Sequence, residues 1–192
     1  MQTLETLDST WSRALWRQFG AAIEMLDNAV VVCPASLWRE RLWSDPPDHP
    51  QPPFGEFWCI AYHTLYWLDV YLSSVAESPA GVTPPSPFPA PALDADDDPP
   101  ERPYAKDDLR AYLAYTKQKC QNTIATLTSE RAGAPYDFPW EKGQGRPIST
   151  LELLLYTMRH VQEHAAQLSL FLGQHGIPDA DLDWVPRAQG EA

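Results

Sequence analysis

Four stretches of the chain place apolar residues at steps of three and four, the spacing of one helix face. The first covers about residues 3–33, with Leu4, Leu7, Trp11, Leu15, Phe19, Ala22, Met25, Leu26 and Ala29 in the stripe and Glu5, Arg13, Arg17 and Glu24 between them. Pro34 stops it at or before Cys33, because a residue that precedes proline is pushed out of the helical region. The second covers about 54–75, with a stripe of Glu56, Cys59, Ile60, His63, Trp67, Val70 and Tyr71. The third covers about 105–128 and starts with Asp107 and Asp108, where the helix dipole favours carboxylates. Leu109, Tyr112, Leu113, Thr116, Cys120, Thr123, Ile124 and Leu127 form its stripe. The fourth runs from Leu151 to Gly173, with Leu153, Tyr156, Thr157, His160, His164, Gln167, Leu168 and Phe171 on one face. Ser149 and Glu152 fit a capping box at its start, and Gly173, followed by Pro178, is expected to close it.

The connections are long. Residues 34–53 are rich in proline and contain Trp38 and Trp43, expected to cap one end of the core, with a short turn within 36–42. Residues 79–103 combine proline with Asp94, Asp96, Asp97 and Asp98, and so cannot form a helix. They are expected to cross the surface as an extended connection. Residues 134–148 read as a loop or an extended arm with a tight turn at Gly143–Gly145. No internal repeat is visible. The expected fold is all-α: a four-helix bundle with long proline-rich crossover connections, in one domain over 1–178. A flexible acidic and polar tail over 179–192, partly anchored by Trp184, completes the expectation.

Composition narrows the function classes. In 192 residues, 44% are hydrophobic, and eight Trp and eight Tyr supply bulk for a sizeable core. The net charge of −12, with no cluster of Lys or Arg, argues against nucleic acid and against anionic membrane surfaces as partners. No apolar run approaches the length of a membrane span, and the N-terminus lacks the pattern of a signal peptide. Cys33, Cys59 and Cys120 are odd in number and widely spaced, which speaks against a disulfide framework and for a reducing compartment. Together these lead to the expectation of a cytoplasmic protein that acts on a small molecule.

The chemistry lies in three histidines. His160 and His164 are four residues apart, so a helix carries both imidazoles on one face, one turn from each other. His63 interrupts the apolar stripe of the second helix in the same way. A single core histidine is ordinarily just hydrogen-bonded. Three facing one core are satisfied together if they meet at one metal ion, and three protein ligands leave positions for water or substrate. Glu163 lies well off the line of the two histidines, solvated or in an acid/base role. Gln167, one turn past His164, either orients a ligand water or packs as an amide. Cys59, four residues before His63, offers a thiolate but more often such a residue is a small hydrophobe. Tyr62, Tyr66, Trp67, Tyr156 and Trp140 are candidates for a pocket wall or for core. His49 and His175 are expected at the surface.

The segment FGEFWCIAYH ending in His63, the run His160-Val161-Gln162-Glu163-His164-Ala165-Ala166-Gln167, and the following LFLGQHGIP together resemble the DinB/YfiT-like family of metalloenzymes. Ala166 stands where that family has glycine. The resemblance implies a four-helix bundle with one divalent metal held by His63, His160 and His164 and completed by water. Zn²⁺ or Ni²⁺ is the first expectation, with Fe²⁺ or Mn²⁺ next, since all of these accept imidazole. It further implies a transferase that uses a low-molecular-weight thiol or a hydrolase acting through metal-bound water, a bacterial source and a homodimer. The competing class is a non-enzymatic bundle with a structural metal or none, acting as a small-ligand-binding or stress-related dimer.

Overall fold

The computed structural model describes residues 9–44, 53–75, 83–92, 100, 102–136 and 147–180. Four long helices carry the fold: α1 (Ser9–Val32), α2 (Phe57–Val75), α3 (Lys106–Ala125) and α5 (Thr150–Gln174). A single 3₁₀ turn over Pro53–Gly55 precedes α2, and a five-residue helix, α4 (Ser129–Gly133), follows α3. Two short antiparallel strands, β1 (Pro135–Tyr136) and β2 (Ile148–Ser149), then lead into α5. The four helices expected from the apolar spacing are therefore present. The fold is all-α.

Helix α1 packs against α3 and α5, and so does α2. Consecutive helices α1 and α2 thus lie across a diagonal of the bundle. Contacts fix the directions. Lys106 at the start of α3 reaches Val31 at the end of α1, and Lys117 pairs with Glu24, so these two helices are antiparallel. Trp58 lies beside Tyr104 just ahead of α3, while Ser73 meets Lys119, so α2 and α3 run parallel. Phe57 lies beside Phe171 and Tyr71 beside Tyr156, so α2 and α5 are antiparallel. A parallel pair consecutive in sequence requires a connection that returns the full length of the bundle. The proline-rich segment after α2 provides it. Within that segment Phe88 is buried between Tyr62, Tyr104 and Tyr112, which ties the crossover to the α2–α3 face.

The start of α2 is set by the loop before it. Phe57 N–H donates to Glu40 O at 3.0 Å and Trp58 N–H to Trp38 O at 3.1 Å, so backbone carbonyls satisfy amides that a helix end leaves open. Arg41 and Glu56 form a β-bridge, and Leu42 N–H donates to Gly55 O at 2.9 Å. A Cβ on Gly55 would lie 2.9 Å from the Arg41 guanidinium, so glycine permits this close approach. The expected second helix is shorter at its start than its pattern suggested, because Pro53 to Gly55 close a 3₁₀ turn against this loop. Trp38 caps the core as expected: it packs 5.7 Å from Phe57, and its indole donates to Tyr104 O at 2.9 Å. Trp43 does not, being 45% exposed beside Gly55.

Helix α5 opens with the expected capping box, in which Ser149 and Glu152 satisfy each other's backbone amides. It does not close at Gly173. It runs one residue further, and Gly176, at φ 71°, ends it. Gly176 N–H donates to Gly173 O at 3.0 Å and Ile177 N–H to Leu172 O at 3.1 Å, the paired bonds of a Schellman cap. Beyond the helix the chain stays on the bundle: Asn28 donates to Asp179 O at 2.9 Å, and Ala180 is buried. The expected turn at Gly143–Gly145, the aspartates Asp94 and Asp96–Asp98, and His49, Trp140 and Trp184 lie outside the described residues. All three cysteines are buried, and none is paired in a disulfide.

Candidate metal centre

Helices α2 and α5 bring the three histidines together. The Nε2 atom of His160 lies 3.3 Å from Nε2 of His63 and 3.1 Å from Nε2 of His164. The ring centroids of His63 and His164 are 5.3 Å apart. Each side chain is half-buried, and among the described residues these three form the only group of His, Cys, Asp or Glu with metal-binding spacing. Neither Cys59 nor Glu163 joins it. Cys59 is buried elsewhere on α2, and Glu163 is exposed, the solvated placement expected for it.

The spacing fits one divalent ion. Two nitrogens about 2.0–2.1 Å from a common zinc, at an angle between roughly 90° and 109°, lie about 2.9–3.4 Å apart. The His63–His160 and His160–His164 separations fall in that range. Each neutral ring has one N–H and one acceptor, so the three clustered Nε2 atoms can pair with one another only where one of them carries the proton. A shared cation satisfies all three.

The local sequence explains the placement. Helix α5 is fully buried along Leu154, Thr157, Val161, Ala165, Leu168 and Leu172. This stripe is rotated from the expected one, and His160, His164, Gln167 and Tyr156 line its flank rather than its centre. The reason is that α5 packs against α1 as well as α2, and the apolar residues between the histidines take the central position. On α2 nearly every face is buried, as an all-round apolar helix requires. His63 and Trp67 are among its half-buried exceptions, and both face α5 or its margin. The triad therefore lies at the edge of the core, with access from solvent.

Burial holds the His164 imidazole below its ordinary pKa, which favours the neutral form that a metal needs; the adjacent His63 adds to this, and the hydrogen bond that the Gln167 carbonyl oxygen accepts from His164 opposes it. Gln167 Oε1 lies 2.8 Å from His164 Nδ1. Ala166, where the family pattern has glycine, is exposed, so the larger side chain crowds nothing. His175 is exposed and its Nδ1 lies 2.9 Å from Phe171 O, away from the triad. Beside the site, Trp67 and Tyr156, each one turn from a histidine, both pack against Tyr71. Tyr62 and Tyr66 turn the other way, towards the crossover segment: Tyr62 stacks on Phe88, and Tyr66 hydroxyl donates to Ala92 O at 3.4 Å.

One polar group escaped the reading of apolar spacing. Asp69, completely buried on α2, accepts from Lys119 at 2.5 Å and from the Tyr112 hydroxyl at 3.0 Å. Lys119 also donates to Ser73 at 2.6 Å. The signal was an aspartate inside the most apolar helix of the chain, which must find a cation once buried.

A helical bundle with three histidines converging from two antiparallel helices defines a class of protein able to hold a metal ion at its flank. The chain belongs to the DinB superfamily, whose family model matches residues 18–168 and so includes all three histidines. No curated protein and no solved structure gave a match.

Proposed function

We propose that this protein is a divalent-metal-dependent enzyme that transfers a group to or from a small thiol, with zinc or nickel on His63, His160 and His164. The observation that carries the reading is the convergence of three Nε2 atoms at the separations one ion imposes. Three imidazole ligands leave positions for an exogenous ligand, and the half-buried flank allows a small molecule to reach them. A divalent ion there supplies Lewis-acid chemistry, lowering the pKa of a thiol or water that binds beside the histidines. Burial of His164 favours the neutral imidazole that ligation needs. Trp67 and Tyr156 form the apolar margin against which the carbon skeleton of a substrate would rest, and Glu163, exposed and adjacent to His164 in the chain, offers a carboxylate for proton transfer.

The test uses cobalt as a spectroscopic substitute in the full chain. Apo-protein loaded with Co²⁺ is titrated with a low-molecular-weight thiol. A sulfur-to-cobalt charge-transfer band in the near ultraviolet, absent from His63→Ala, is the expected result. Cobalt binding without that band would reject thiol transfer and leave hydrolysis at a bound water. Failure to bind cobalt would reject both.

A further inference from the structure

We infer that Gln167 is a positioning residue that fixes the tautomer of His164 before any metal arrives; the inference rests on the metal reading given above. Gln167 lies on α5 three residues past His164, and its Oε1 is 2.8 Å from His164 Nδ1. A carbonyl oxygen only accepts, so His164 must carry its proton on Nδ1. The lone pair is then on Nε2, the atom 3.1 Å from His160 Nε2 and turned into the triad. Free imidazole side chains in water favour the opposite tautomer, with the proton on Nε2. That tautomer would aim an N–H at the site and block it as a ligand. The amide therefore does two things through one hydrogen bond: it selects the ligating nitrogen, and it restrains the orientation of the ring.

The geometry also distinguishes this role from packing. Gln167 is half-buried at the flank of α5, whereas Leu168, its neighbour, is fully buried in the core. An apolar side chain of similar length at 167 keeps the surface covered and loses only the acceptor. A glutamate restores an acceptor, and a stronger one, because a carboxylate behind a ligating imidazole raises its basicity.

The experiment compares wild type, Gln167→Leu and Gln167→Glu by ¹⁵N–¹H correlation of the imidazole nitrogens in the metal-free full chain, and by Zn²⁺ titration. His164 is expected as the Nδ1–H tautomer in wild type and in Gln167→Glu. In Gln167→Leu it is expected to move towards Nε2–H, with Zn²⁺ affinity about 10–100-fold weaker and an unchanged melting temperature without metal. Gln167→Glu is expected to bind Zn²⁺ at least as tightly as wild type. An Nε2–H tautomer in metal-free wild type would overturn the inference, as would an unchanged tautomer in Gln167→Leu. Wild type that binds no Zn²⁺ would sink the metal reading, while the tautomer comparison would still decide the role of Gln167.

Discussion

Residues that titrate or react are divided in this molecule between a half-buried flank and a sealed interior. The histidines occupy the flank; the thiols occupy the interior. Burial pushes the Cys33 thiol up to about 12, only partly opposed by Lys106, and pushes the Cys120 thiol well above its ordinary range. The thiolate is the reactive form, so both should resist alkylation. Iodoacetamide at pH 8 is expected to leave Cys33 and Cys120 unmodified in the native protein and to label them in denaturant, with mass spectrometry as the readout. Rapid native labelling of Cys120 would mean that the α3 interface opens easily. At this scale the triad was legible in the chain, because histidine in an apolar stripe needs a partner. The contact of Gln167 was not, since spacing places it one turn past His164 but cannot say which group its amide meets.

Among the elements, α2 and α3 are held by an ion network as well as by apolar packing. Asp69 is fully enclosed and bonded to Lys119 and Tyr112. Removing one member of a buried pair leaves a charge without compensation, and Lys119→Ala is expected to cost about 3–5 kcal/mol in denaturant unfolding. Tyr112→Phe leaves the ion pair in place and should cost only about 1 kcal/mol. Burial raises the Tyr112 phenol well above its ordinary pKa, and Asp69 adds to this. The folded chain then keeps a proton that the unfolded chain loses above about pH 10. Its contribution to stability is complete below that pH and is lost as pH rises, so the alkaline slope of stability should shrink in Tyr112→Phe. The capping box of α5 is a simpler case: Ser149→Ala should cost about 1 kcal/mol. Helix existence and the capping box were legible because each is a local pattern, whereas the buried faces were read only in part: the α5 stripe is turned from the expected one, and in α1 Trp11 is 71% exposed while Trp16 is fully buried. The end of α5 was misplaced by choosing Gly173 over Gly176, since only Gly176 adopts a positive φ. Helix α4 was missed because five residues show no period; Thr128 caps it by accepting from Arg131 N–H.

For the whole molecule, bundle order decides what the site can be. Because α2 and α5 are neighbours while α1 and α2 lie on a diagonal, one histidine from the second helix meets two from the last. No local pattern encodes that order; it follows from a full-length return after α2 and from the loop contacts that aim its start. The core of Trp16, Phe19, Phe57, Leu65 and Leu168 is complete without the triad, so chelated protein should stay folded. A metal bound across α2 and α5 should add about 2.7 kcal/mol of stability when present at 100 times its Kd. We propose that His63, His160 and His164 together form one metal site. Its most direct test is Zn²⁺ titration calorimetry on apo wild type, His63→Ala and His160→Ala. Wild type should bind close to one equivalent, and each variant should lose that site while keeping its helical circular dichroism. Equal binding by wild type and both variants, or no binding by wild type, would contradict the account.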